Sequence, residues 1–185
     1  DKELNAEIKE ERNCKFRLAV LEDVDKIMLV VAQAQKFLRE QGVDQWQNGY
    51  PTPEVFRDDI ERGECWVALK GEEIAGVLTL TLKPEPAYTV IEDGAWLTAG
   101  EKSGVIHRSA VSSQFRGSGL ADGLFEWAER TCREMGMESV RIDTHQDNRV
   151  MRKLLNRRGF QPCGIVKVDV GTEHDPKRIG YEKLL

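Results

Sequence analysis

Arg116-Gly117-Ser118-Gly119 stands between an apolar run, Val105 to Val111, and an amphipathic run that begins at Leu120. Where a helix starts, several backbone N–H groups have no partner within the helix, and its dipole favours an anion. Two glycines let a bulky anion approach the main chain, and Arg116 adds a permanent positive charge. Strand, glycine turn and helix in this order read as a cradle for a pyrophosphate. Spacing separates the kinds of pyrophosphate. No Lys-Ser or Lys-Thr pair follows the glycines, as a P-loop requires. Gly117, Gly119 and Gly123 give G-x-G-x-x-x-G, one residue longer than the dinucleotide fingerprint. That fingerprint also belongs on the first strand–helix turn of its domain, whereas this turn lies past the middle of the chain. A nucleotide here is therefore the weaker reading.

The elements around the turn follow from periodicity. Phe16 to Val20 reads as a strand, and Val24, Ile27, Met28, Val31 and Leu38 keep helical spacing until Gly42. Pro53 opens a second helix that runs to about Glu61. Trp66 to Leu69 and Ile74 to Leu82 read as a hairpin across Lys70-Gly71-Glu72-Glu73. Pro84 to Gly104 reads as a long loop, of the kind that often carries function. After the strand Val105 to Val111, the spacing of Leu120, Leu124, Trp127, Thr131 and Met135 predicts one apolar helix face ending near Gly136. Val140 to Thr144 is the next strand, parallel to the previous one because a helix joins them. Asp147 or Asn148 caps a helix with Met151, Leu154 and Leu155 inward and Gly159 at its end. Strands at Phe160 to Val168 and Ile179 to Leu184 complete the order β-α-α-β-β-β-α-β-α-β-β.

Composition narrows the class. With 185 residues, the chain holds one α/β (α+β) domain comfortably. Residues 1–14 read as a charged N-terminal extension and residues 15–185 as the domain. Cys14, Cys65, Cys132 and Cys163 show neither C-x-x-C nor zinc spacing, which predicts unpaired thiols in a reducing cytoplasm. No apolar stretch approaches a membrane span, and no signal-peptide pattern opens the chain. A net charge of −5 without a basic stripe argues against nucleic acid as a partner.

Two motifs carry a family resemblance. Arg116 to Ala121 reads as R-x-x-G-x-A, and Gln114 to Gly119 as Q-x-x-G-x-G. Asn148 to Phe160 looks like N-x-x-A-x-x-L-Y-E-K-x-G-F at the matching distance downstream. With these on the expected elements, the chain resembles the GNAT superfamily of N-acetyltransferases over roughly Phe16 to Leu185. The resemblance implies a mixed central sheet with a splayed parallel strand pair and helices on both faces. It implies acetyl-CoA as donor and an amine-bearing acceptor, a small molecule or a protein N-terminus. Arg116, Gly117, Ser118, Gly119, Leu120 and Ala121 would hold the pyrophosphate of coenzyme A. Ser109, Ala110 and Val111 would offer main-chain groups to the pantetheine arm and acetyl carbonyl, and Asn148 a side-chain contact. Late strands often pair in this superfamily, so a homodimer is implied too.

Catalytic roles follow from what acetyl transfer needs. An alkylammonium with a pKa near ~10 must lose a proton before it attacks. Asp143 stands five positions before Asn148, where similar bacterial protein-alanine N-acetyltransferases place a catalytic glutamate within L-E-V-R-x-S-N. The other reading of Asp143 is an ion pair with Arg141 or Arg108. His107 is the rival base, on one strand face with Ser109 and Val111. His145 shares a face with Asp143, and those strands allow a metal held by His107, Asp143 and His145. No other residue supports that site, and no metal is expected. His174 reads as a solvated loop residue. One departure matters: the family's acid is a tyrosine seven residues after the asparagine, and that position here is Leu155. Cys163 and Tyr181 are the alternatives. Trp46, Tyr50, Tyr88 and Trp96 form either an aromatic wall for the acceptor or staples to the core. The missing tyrosine keeps a second function open, a domain that holds acyl-CoA without turning it over.

Overall fold

The computed structural model describes residues 14–169 and 175–185. The readings of residues 1–13 and of His174 lie outside the described residues. Among the described residues, seven strands and four α-helices follow the expected order: β1 Lys15–Leu18, α1 Val24–Glu40, α2 Pro53–Glu61, β2 Cys65–Lys70, β3 Glu73–Thr81, β4 Ser103–Val111, α3 Leu120–Glu134, β5 Ser139–Thr144, α4 Arg149–Arg157, β6 Gln161–Lys167 and β7 Lys177–Leu184. The strands form one mixed sheet in the order β1-β2-β3-β4-β5-β7-β6. β4 and β5 are the parallel pair, with Ser103, Gly104 and Val105 opposite Ser139, Val140 and Arg141. Among the described residues this pairing stops at Val105 and Arg141, although both strands continue. Among the described residues, no helix is long and apolar enough to cross a membrane.

Contacts within the chain gather into two compact units. Of the described residues, one holds those up to Ala34, Pro51–Thr79 and Arg108–Trp127; the other holds Gln35–Tyr50, Leu80–His107 and those from Ala128 on.

In the first unit, Thr52 caps α2 by accepting from Val55 N, and Pro53 takes the first helical position, where no N–H is needed. Phe16 stacks on Trp127 at 4.8 Å, and Trp66 tilts against the same ring at 4.7 Å. Such pairs add about 0.5–1.5 kcal/mol each beyond their buried area. Trp127 is thereby a stacking residue at the edge of the α3 face. Met135 lies past the last helical residue and is exposed, while Leu120, Leu124, Phe125, Ala128 and Cys132 are buried. The buried stripe of α3 is thus rotated from the predicted one, along the i, i+4 row of Leu120.

The second unit is built around the 84–100 segment. Pro86–Tyr88 forms a short 3-10 turn, and Glu92 bridges to Ile165 of β6. Tyr88, Val105 and Val166 are buried together, with Ala87, Ile91 and Trp96 packed on them. Trp96 lies over Gly180, where a Cβ would come within 2.7 Å of its ring. Beneath it, Arg141 donates from Nε to Glu182 at 3.0 Å, and its guanidinium sits 4.2 Å from the Trp96 ring centroid. Glu182 also accepts from Ser139, Thr98 and the Leu97 amide. Burial alone would raise the Glu182 pKa, but these hydrogen bonds and the Arg141 charge outweigh it and hold it low.

Candidate active site

The glycine turn belongs to the first unit. Ser113–Phe115 forms a 3-10 turn, and Ser118 closes on Phe115 O through its amide and its hydroxyl. Gly117 and Gly119 take φ of +81° and +86°, a region that other residues enter at a steric cost. A Cβ on Gly117 would meet nothing within 4 Å, so its outer side is open space. The helical ladder begins with Gly123 N to Gly119 O at 3.1 Å. The amides of Leu120, Ala121 and Asp122 therefore precede it and point along the helix axis. Arg116 is exposed beside them, while the Leu120 side chain is buried, which leaves its amide as the group it offers. The turn fits a pyrophosphate by its amides and its open side.

Within the strand before the turn, Arg108 adopts φ +47°, a left-handed backbone rare for a side-chain-bearing residue. Period-two alternation breaks there, so the shared face predicted for His107, Ser109 and Val111 does not carry across Arg108. The Arg108 side chain is fixed by Asp59 of α2, Nε to Oδ2 at 2.7 Å and Nη2 to Oδ1 at 2.8 Å. Asp59 is fully buried and also accepts from Thr79 and Arg62. This pair was not foreseen. Its only trace in the sequence is a charged residue inside an apolar strand. Ser109 and Val111 are half-buried and Ala110 is buried.

The titratable residues lie in the second unit. Asp143 pairs with neither Arg141 nor Arg108, because Glu182 and Asp59 take those guanidinium groups. Tyr88 donates its hydroxyl to Asp143 Oδ2 at 2.6 Å, and Oδ1 has no hydrogen-bond partner among the described residues. Burial raises the Asp143 pKa, opposed by the Tyr88 hydrogen bond and the charge of His107. His107 Nε2 lies 3.2 Å from Glu85 Oε2. Glu85 and Tyr88, at the two ends of one turn, thus engage the two candidate bases.

His145 is buried elsewhere: its Nδ1 accepts from Asp147 N at 3.0 Å, and Nε2 is 3.8 Å from Asp175. Among the described residues, no group of three His, Cys, Asp or Glu side chains could hold a metal ion. Asn148 caps α4 by accepting from Met151 N, and its amide nitrogen donates to Gln45. Leu155 is fully buried, so this position is core. Tyr181 is equally buried and accepts from Arg152 Nε at 3.0 Å. Burial pushes the Cys163 thiol up, and those of Cys65 and Cys132 to about 12. Thr144, beside Asp143, buries a hydroxyl with no partner among the described residues. Tyr88 and Trp96 staple the 84–100 segment, with Trp96 Nε1 donating to Tyr88 O at 2.9 Å. Gln35 and Gln47 tie down the segment that carries Trp46 and Tyr50.

A model of the acetyltransferase (GNAT) family matches residues 31–160. The N-acetyltransferase YesJ of Bacillus subtilis (strain 168), itself uncharacterized, is 30% identical over 149 residues, spanning 79% of this chain and 81% of that protein. A GNAT-family acetyltransferase from Streptococcus agalactiae 2603 has a crystal structure that superposes with a TM-score of 0.80 at 34% identity, covering 93% of this chain and 95% of its own. The PaiA N-acetyltransferase of Thermoplasma acidophilum, solved in complex with coenzyme A, shares the fold at a TM-score of 0.65 and 15% identity. There the coverage is 94% of this chain and 99% of that one.

Proposed function

The chain belongs to the acetyltransferase (GNAT) family, and on that premise we propose that it moves an acetyl group from acetyl-CoA to a primary amine. The observation that carries the donor reading is the turn ahead of α3. Its two positive-φ glycines and the amides that precede the first helical bond fit the pyrophosphate of coenzyme A. The PaiA protein, solved with coenzyme A, supports that choice of donor. Acetyl-CoA supplies the acetyl group as an activated thioester. Leu120 and Ala121 would hold the pyrophosphate through their amides, with Arg116 adding charge. Ser109, Ala110 and Val111 would line the path of the pantetheine arm.

Asp143 is the proposed proton acceptor. Tyr88 fixes one carboxylate oxygen, which leaves Oδ1 to take a proton from the acceptor's ammonium. Its raised pKa brings it nearer the working pH, where a general base is most effective. His107, held through Nε2 by Glu85, presents Nδ1 as the second acceptor in the same unit. The buried Leu155 supplies no acid for a departing thiolate. That feature favours slow turnover and, in the extreme, a domain that binds acyl-CoA without transfer.

The test is a thiol-release assay with acetyl-CoA against a panel of alkylamines, amino acids and peptides. Amine-dependent thiol release is expected. Acetyl-CoA binding without release across the whole panel would replace the enzyme reading with the binding-domain one.

A further inference from the structure

A cavity of about 220 Å³ lies in the second unit, walled by Glu85, Tyr88, Trp96, Gly100, Ser103 and Arg141. Two of these residues already satisfy each other. Arg141 is matched in charge by Glu182, and its guanidinium lies over Trp96. Its Nη2 is spent on Thr98 O at 2.7 Å. Glu85 is partnered as well, on the side of the candidate bases. Its Oε1 accepts from the Ala87 amide, its Oε2 faces His107, and its side chain keeps 25% of its exposure. The wall thus offers aromatic surface, a compensated cation, and one carboxylate next to the candidate bases.

We propose that this cavity is the acceptor pocket and that Glu85 is its specificity-determining residue, binding the ammonium of a compact primary alkylamine. The inference rests on the acetyl-transfer reading and names the class of acceptor. Size is the first argument. A volume of about 220 Å³ is smaller than the roughly 300–1,000 Å³ of pockets for drug-sized ligands, which suits a short aliphatic chain. Charge is the second, because a carboxylate binds an ammonium in a charge-assisted hydrogen bond. With one face of Trp96 taken by Arg141, recognition of the cation falls to Glu85.

Position is the third argument. Val105 and Arg141 are the last paired residues of β4 and β5. His107 and Asp143 lie two residues further along each strand, a rise of roughly 6–7 Å. Glu85 Oε2 lies 3.2 Å from His107 Nε2, and Tyr88, three residues further along the same turn, donates to Asp143 at 2.6 Å, so one turn ties the three groups together. The acceptor would bind as R–NH3⁺ against Glu85. One N–H proton then passes to Asp143, which becomes a neutral acid, and the nitrogen keeps the electron pair it needs for attack.

The test titrates the whole chain, without acetyl-CoA, with a series of n-alkylamines from propylamine to hexylamine, using calorimetry. Glu85→Gln and Ala99→Trp, the second a bulky residue on the cavity wall, are run beside the parent. The parent is expected to bind at least one amine, Glu85→Gln to weaken it tenfold or more, and Ala99→Trp to abolish it. Acetyl-CoA affinity should stay within twofold in both variants. In turnover, Glu85→Gln should raise the amine KM tenfold with kcat within threefold. No binding by the parent, or equal binding by Glu85→Gln, overturns the proposal. A fall in kcat at constant KM also overturns it, since Glu85 would then act through His107. Activity confined to peptide N-termini and unchanged in Ala99→Trp overturns the compact acceptor. Failure of the parent to bind acetyl-CoA would instead remove the acetyl-transfer reading, and the amine titration would still decide the pocket.

Discussion

In the turn ahead of α3, the groups that face a ligand are main-chain amides of consecutive residues, Leu120 and Ala121, set by two glycines just before them. Around Asp143 they are four side chains from three places in the chain: Glu85 and Tyr88 of one turn, His107 and Asp143. The first arrangement depends on backbone conformation and is insensitive to most side chains. The second depends on rotamers held by packing, and a single substitution removes a working atom. Each region should therefore fail in its own way.

The largest effect is expected from Asp143→Asn, which keeps shape and removes proton-accepting capacity. Turnover at neutral pH should fall by about 10²–10⁴-fold, with partial recovery at high pH as free amine accumulates. Because burial raises the Asp143 pKa, the acid limb of the parent's kcat/KM profile should lie above the ordinary carboxylate range, and this limb should vanish in the variant. Near-normal turnover there, beside an inactive His107→Gln, would pass the role to His107.

Asp59→Ala tests the support of Arg108 in the first unit. Removing one partner of a buried pair costs about 3–5 kcal/mol, here with Thr79 and Arg62 also deprived. Urea denaturation should show a midpoint lowered accordingly. A loss below about 1 kcal/mol would mean that Arg108 keeps its backbone without this anchor.

Gly119→Glu should erase the rise in melting temperature that coenzyme A gives the parent, worth about 2.7 kcal/mol at a hundredfold excess over Kd. Backbone strain at φ +86° and like-charge repulsion act together there. Ser118→Ala, by contrast, should shift coenzyme A affinity less than threefold. If these two variants behave alike, the turn is not a backbone site.

The smallest effect concerns Leu155→Tyr. A fully buried position should not accept a phenol freely, and overpacking costs about 1–3 kcal/mol. Thermal melts should show that loss without a gain in kcat. A stable, faster variant would show that the hydroxyl had found the departing sulfur.

The same contrast explains what could be read in advance. The element order was legible because apolar periodicity and Pro and Gly punctuation are local signals. Pro53–Glu61 and the capping of α4 by Asn148 are examples. The glycine turn was legible because its chemistry is contiguous. Asp143 and His107 could be named as candidates, but not their partners. Glu85 and Tyr88 lie in a segment without periodicity, and Tyr88 meets Asp143 across 55 positions. The left-handed backbone at Arg108 left no local mark, and the ion pair that accompanies it reaches a residue 49 positions away. Met135 was misplaced because spacing marks a stripe without saying where the helix ends.

Trp96 has a spectroscopic consequence. Of the four tryptophans, Trp66 and Trp127 share one aromatic stack in the first unit. Trp96 belongs to the second unit, with its indole N–H on Tyr88 O and a guanidinium against its face. Its emission therefore reports on the cavity wall and on the turn that holds Asp143. With Trp46 replaced by Phe, quenching or a spectral shift as an amine enters would follow acceptor binding in real time, with no label added and no turnover needed.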